Sequence, residues 1–329
     1  MIHIYDKTAI TKYWVLVLIL VFSIACNPNQ LKNEEKENFL ESENAYFGLT
    51  PPGLVPEVFA PGIVSDTSWA EHCQMAISPK GDEIYWSAWS SKYPPADTSM
   101  RNSEQIYFSE YKNGVWTEPA VADFIKDHLT CLNGGPSFTP DGNRLYFYST
   151  GIEGGYGKKD VWYVERTVHG WSKAINAGTP LNTTDGDWTP SFNPKGYAYH
   201  MGNSYYNKNE KPLKFLYSNG KFSVPDTVNI HPDFKPYYAI YVSSDESYLL
   251  FSARHEDGFG SLDIYICFKT DDNAWGIPIN MGDKVNTDKA ERFPTISPDG
   301  KYLFFMRHTP GQDIFWVSTD IIKNLKSQS

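Results

Sequence analysis

His72, Asn133, Asp187, Tyr237 and Glu291 recur along the chain at intervals of 61, 54, 50 and 54 residues, and every one of them is polar. Brought together they would supply an imidazole, an amide, a phenol and two carboxylates. Two carboxylates facing one lumen suit a glycosidase, one as general acid and the other as base or nucleophile. If the protein is an enzyme, Asp187 and Glu291 hold those roles. His72, Asp187 and Glu291 could also meet at a cation. The histidines are scattered, however, and no pair has the close spacing of a zinc site, so no metal is expected. Asp185-Gly186-Asp187 carries only part of a calcium loop. No Gly-x-Ser-x-Gly elbow is present, so no nucleophile is assigned. Trp188 and Arg292 follow the polar column directly. Trp89, Tyr93, Asn203, Arg254, His255, Arg307 and His308 stand in loops, and Trp69 lies just upstream. Together they describe a rim of acids, cations and aromatics, the usual make-up of a ligand pocket. Plainer readings stand beside this one. A polar ring can simply wet a channel, the two acids can cap turns through backbone N–H groups, and the Arg-His pairs can be solvated loops.

The elements that position this column are repeats. Ser78-Pro-Lys-Gly81, Thr139-Pro-Asp-Gly142, Asn193-Pro-Lys-Gly196, Ser243-Ser-Asp-Glu246 and Ser297-Pro-Asp-Gly300 each precede an aromatic, apolar run. Pro presets φ, Asp can bond its own backbone and Gly accepts a positive φ, so each phrase is a turn. The fourth copy lacks both Pro and Gly and is expected to turn more loosely. A second aromatic strand follows each turn, headed by Asp160, Asp263 or Asp313 in three copies. A short strand opened by Trp116, Trp171 or Trp275 then completes the unit, those tryptophans being core. With the stretch before the turn, every repeat offers four antiparallel strands. Pro136, Pro190 and Pro294 make that first stretch an edge, because proline cannot donate to a ladder.

Four-stranded units repeated at this period are the signature of a β-propeller. The last repeat ends with its third strand, while residues 54–61 have fourth-strand character. The expected fold is therefore all-β, a propeller of five four-stranded blades over residues 50–325 closed by an N-terminal strand. The connections entering each first strand and those joining second to third strands emerge on one face, where the rim residues would gather.

These phrases resemble the WD40-like repeats of the PD40 type, found in TolB-type propellers and in lipoproteins of Bacteroidetes-like bacteria. The resemblance covers five motif copies and nearly all of the chain beyond residue 50. It implies the fold but not an activity, since that family includes binding modules, scaffolds and domains attached to peptidases. TolB carries an α/β domain ahead of a six-bladed propeller, and no such domain fits between residues 27 and 50. The Asp box of sialidases is absent.

The N-terminus carries an address. Lys7 and Lys12 precede an apolar run, Trp14 to Ala25, too short to cross a bilayer as a finished helix. Residues 1–25 read as a signal peptide whose end resembles a lipobox, with Cys26 as the lipidated residue. Residues 26–49 read as a flexible acidic tether, and 326–329 as a tail. Net charge is −10, which disfavours nucleic acid. Cys73 and Cys131 approach the channel in adjacent blades and could form a disulfide in an exported protein; Cys267 is expected to pack. The function expected is non-catalytic. The chain would be a monomeric outer-membrane lipoprotein of a Gram-negative envelope that binds a protein, peptide or glycan at the channel mouth and needs no cofactor. The alternatives are a carbohydrate-active hydrolase or lyase using the rim carboxylates, and a scaffold for other envelope proteins.

Overall fold

The computed structural model describes residues 38–90, 103–201, 211–234 and 237–327. The signal peptide, Cys26, Tyr93 and Asn203 lie outside the described residues. Five antiparallel sheets follow one another along the chain. Blade one is built from Ala70–Ile77, Glu83–Ser90 and Ser103–Lys112, with its outer strand split into Val115–Trp116 and Ala120–Val121. Blade two runs through Asn133–Phe138, Arg144–Ser149 and Asp160–Thr167 to Gly170–Trp171 and Ile175–Asn176. Blade three comprises Ser191–Asn193, Tyr197–His200 and Leu213–Ser218 with two short outer pieces, Lys221–Phe222 and Asp226–Thr227. Tyr237–Val242, Tyr248–Ala253, Asp263–Phe268 and Ile279–Asn280 form blade four.

Blade five takes three strands from the C-terminal end, Glu291–Ile296, Tyr302–Arg307 and Asp313–Ser318. Its fourth is Glu57–Val58, paired Glu57↔Trp316 and Val58↔Phe315. The ring is thus closed by strands from opposite ends of the chain, as the missing last strand implied. Phe59 follows that strand fully buried, its ring 5.1 Å from both Phe304 and Trp316.

The turn chemistry is uniform. In each copy the fourth residue donates its N–H to the carbonyl of the first, over 2.8 to 3.0 Å. Glu246 occupies the glycine position of the fourth copy at φ +59°, so that turn is no looser than the others. A side chain in the left-handed region carries a conformational cost. Here the Glu246 carboxylate is engaged, accepting from Lys214 Nζ at 2.9 Å and from the Tyr199 hydroxyl. Two of the acids heading third strands act on the backbone: Asp160 Oδ1 accepts from Gly157 N at 2.8 Å and Asp263 Oδ1 from Gly260 N at 3.0 Å. Each fixes the loop that leads into its own strand.

The tether expected up to residue 49 ends earlier. Phe39–Glu41 and Ala45–Gly48 form two short 3-10 turns, with Leu40, Ala45 and Tyr46 buried. This strap joins blades one and five. Trp116 Nε1 donates to Asn44 O at 2.8 Å, and the Tyr46 hydroxyl donates to Asp299 Oδ1 at 2.9 Å. The acidic composition of the segment hides three apolar residues that have a core to enter. At the other end, helix Asp320–Lys326 buries Ile321 and Ile322 against the blade-five core. No helix among the described residues is long and apolar enough to cross a membrane.

Candidate functional site

Asn133, Asp187 and Glu291 of the polar column are buried, and each is engaged by the loop before its blade. Asp187 is 2% exposed and accepts from Thr183 N at 2.7 Å and from Thr183 Oγ1 at 3.1 Å. Glu291, fully buried, accepts from Thr287 N at 3.1 Å, Thr287 Oγ1 at 2.7 Å and Arg307 Nε at 2.8 Å. Asn133 donates to Gln105 Oε1 at 3.0 Å and His128 O at 2.9 Å. Burial pushes the Asp187 carboxyl up to about 6, against the lowering effect of the Thr183 donors. Asp187 and Glu291 are both turned back on the loops before their own strands.

Blade one departs from the counted register. In blades two, four and five the column residue pairs with the residue ten past the turn's first position: Asn133↔Ser149, Tyr237↔Ala253, Glu291↔Arg307. In blade one that partner is Ala88, and it pairs with Glu71, while His72 pairs with Ser87. Three residues, Cys73 to Met75, bulge opposite Trp86 where blades two and five have two residues opposite one. The extra residue moves Glu71 into the column, fully buried and accepting from Trp69 Nε1 at 2.8 Å. Burial pushes its carboxyl up to about 9.

His72, released from the column, sits in a compact group at one end of the axis. Its Nδ1 lies 2.8 Å from Glu104 Oε1 and 3.1 Å from Cys73 Sγ. The Tyr148 hydroxyl donates to Glu104 Oε2 at 2.6 Å and lies 3.0 Å from Cys73 Sγ. Gly134 makes room for this group, since a Cβ there would overlap Glu104 Oε1. Burial disfavours the His72 cation, but the Cys73 and Glu104 groups against its ring outweigh that and raise its pKa. Lys159 Nζ stands 3.1 Å over the Trp188 ring and 4.4 Å from the Tyr148 ring, and burial lowers its pKa to about 8. Cys73, Tyr148, Phe293 and Met306 pack together with Trp188 and Ala239. Side chains from all five blades therefore meet across the axis at this level, in place of a wetted ring.

Beyond that plug a cavity of about 510 Å³ follows the axis to the Pro-Asp-Gly turns. Trp188, Thr189 and Phe293 border it at the plug, and Phe192, Tyr241 and Thr295 stand along its wall. Its lining contains no Lys, Arg or His. Trp188 Nε1 and Thr189 Oγ1 are buried and have no hydrogen-bond partner among the described residues. Of the expected rim residues that are described, only Trp188 borders this cavity.

The others are dispersed. Trp69 stacks on Tyr107 at 4.9 Å and is part of the blade-one core. Trp89 meets the His72 ring at 5.7 Å. Arg254 is exposed and donates to Ser261 O at 3.0 Å, Arg292 is half-buried, and His308 is exposed. Tyr237 stands in its inner strand at the expected register. The disulfide considered between Cys73 and Cys131 is not formed; both thiols are free, and Cys73 Sγ is taken up by His72 and Tyr148. Cys267 is free and fully buried. Sequence reasoning missed Glu71, Glu104, Tyr148 and Lys159. Glu71 directly precedes His72 in the sequence; Glu104 and Tyr148 come from a third and a second strand and Lys159 stands just before a third strand, places that the polar column does not include.

No protein-family model and no curated protein matches the chain. Solved structures similar to it include TolB from Acinetobacter baumannii, at 14% identity and TM-score 0.44, over 75% of this chain and 51% of that one. A putative TolB from Agrobacterium tumefaciens is 13% identical with TM-score 0.43, over 71% and 69%. The periplasmic gluconolactonase of Pseudomonas aeruginosa is 13% identical with TM-score 0.41, over 75% and 69%. The chain thus spans about half the length of the Acinetobacter protein. The likeness is one of propeller architecture, and no residue role is carried over from it.

Proposed function

We propose that this chain is a non-catalytic binding propeller of the cell envelope that takes a neutral, hydroxyl-rich glycan segment into its axial cavity. The observation that carries this reading is the cavity itself: hydroxyl and amide groups and aromatic faces, the Asp245 and Asp299 carboxylates confined to the turns at its far end, no cationic side chain, and two unpartnered donors beside the plug. Its volume suits a small ligand. A buried donor without a partner favours a ligand that supplies acceptors, and sugar hydroxyls do so without bringing a charge. Aromatic walls match the apolar faces of sugar rings. A hydrolase reading is disfavoured because Asp187 and Glu291 are tied to their own loops.

Titration with neutral oligosaccharides, followed by calorimetry, tests the site. Saturable binding is expected, weakened at least about tenfold in Trp188→Phe, which removes the indole donor and keeps an aromatic side chain. Equal binding by the variant, or no response to any neutral oligosaccharide, would refute the assignment.

Export and anchoring rest on Lys7, Lys12, the apolar run to Ala25, and Cys26. The full chain is expected to sediment with membranes and to be released by detergent, whereas Cys26→Ala is recovered in the soluble envelope fraction. Membrane association unaffected by that change would remove the lipid anchor.

A further inference from the structure

We propose that His72, Cys73 and Glu104 form a binding site for one zinc-class divalent cation at the plugged end of the axis, a site independent of the glycan reading. Neighbouring residues of a strand normally point to opposite faces. The three-residue bulge and the left-handed backbone of Cys73, φ +65°, cancel that alternation and turn its Sγ to within 3.1 Å of His72 Nδ1. Glu104, near the start of the third strand, brings Oε1 within 2.8 Å of the same nitrogen. One nitrogen, one sulfur and one carboxylate oxygen thus lie within 4.8 Å of one another.

This arrangement is a convergence of ligands rather than a catalytic relay. A nucleophile–base–acid chain engages the two ring nitrogens of its histidine with different partners; here thiol and carboxylate meet at Nδ1 alone. Tetrahedral zinc takes nitrogen and oxygen ligands at about 2.0 Å and sulfur at about 2.3 Å, which sets ligand atoms roughly 3.2–3.6 Å apart. Nδ1 already stands 2.8 and 3.1 Å from the other two atoms, and all three lie within 4.8 Å of one another, so small side-chain shifts would let an ion enter. A mixed sulfur, nitrogen and oxygen set suits zinc and disfavours the harder calcium and magnesium.

The surroundings support the same assignment. Tyr148 holds the second carboxylate oxygen at 2.6 Å, orienting Glu104 as outer partners of ligands commonly do. Phe293 and Trp89 stand 5.5 and 5.7 Å from the imidazole, an apolar wall. Lys159 is the nearby cation, and its Nζ lies over the Trp188 and Tyr148 rings. The His72 side chain is 16% exposed and Glu104 2%, so the ion would arrive past the imidazole. On binding, the Cys73 thiol releases its proton, and His72 Nδ1 releases any proton it carries. Thiolate and carboxylate then balance the two charges of the ion, and no electron is transferred.

Titration of the full, chelator-treated chain with Co²⁺ tests the site through the thiolate-to-metal charge-transfer band, with Zn²⁺ as competitor. One equivalent is expected to produce the band and Zn²⁺ to abolish it. Cys73→Ser should lose the band, Glu104→Gln and His72→Gln should weaken binding at least about tenfold, and Cys131→Ser should leave it intact. Near-UV circular dichroism confirms that each variant is folded. If Cys73→Ser fails to fold, the weakened affinity of Glu104→Gln decides. Absence of the band in the folded wild type, its survival in Cys73→Ser, its loss in Cys131→Ser, or unchanged affinity in Glu104→Gln would overturn the proposal.

Discussion

Phe59→Ala is expected to lower stability by about 3–5 kcal/mol, a fall in Tm on the order of 5–15 °C. The side chain is fully buried, and its ring packs against Phe304, Trp316 and, at 5.9 Å, Phe47. The loss should exceed that of an ordinary core truncation in its consequences, because Phe59 anchors the strand that closes the ring. Glu57–Val58 contributes only two residue pairs to Asp313–Ser318, too short a ladder to hold without its buried neighbours. Phe59 N also donates to Ile314 O at 2.8 Å, so the anchor and the ladder are continuous. Opening should therefore begin at the seam between blades five and one. Hydrogen exchange in Phe59→Ala should show Tyr302–Arg307 and Asp313–Ser318 losing protection before the inner strands of blade two. Uniform loss over all blades would show instead that the ring opens as one cooperative unit.

The same seam shows why much of the fold, and less of the site, could be read in the sequence. The repeat was legible because each turn is specified by local chemistry: a proline, an acid, a glycine and the aromatic strand that follows. Closure was legible because one copy visibly lacks a strand and residues 54–61 supply one. The strap was not. Its turns use positive φ at Tyr46 and Phe47 and have no period, and its apolar residues are recognisable only against the core they enter. Glu71 was missed for a different reason. Counting back from the turn assumes equal bulges, and blade one holds one residue more. That single insertion exchanges Glu71 for His72 in the column and leaves the imidazole beside Cys73. Glu104 and Tyr148 then reach the group from 32 and 76 positions away. Periodicity aligns equivalent places in different blades, whereas this group joins non-equivalent places, so the alignment could not bring it together.

Asp187 and His200 give the last expectation, two opposing contributions to the acid-side stability profile. Trp188 N, directly after Asp187, donates to His200 Nε2 at 3.2 Å, and both side chains are 2% exposed. Burial pushes the His200 imidazole down to about 4, from about 6.5 when unfolded. Its folded pKa is depressed, so the unfolded chain binds the extra proton, and stability falls as pH drops from 6.5 towards 4. Burial pushes Asp187 up to about 6, from about 3.9 when unfolded. Here the folded state binds the extra proton, and stability rises as pH drops from 6 towards 3.9. Each contribution is about 3 kcal/mol across its window, and the two windows overlap over most of their range. Single substitutions should expose them. His200→Gln keeps an acceptor without titrating, and relative to wild type it should gain about 3 kcal/mol on going from pH 7 to pH 4. Asp187→Asn should lose about as much over the same interval, becoming acid-labile. Denaturant unfolding of the three proteins at pH 7, 5.5 and 4 measures both differences. Parallel profiles would show that neither group changes its protonation on unfolding in that range, and would remove burial of this pair as a determinant of acid stability.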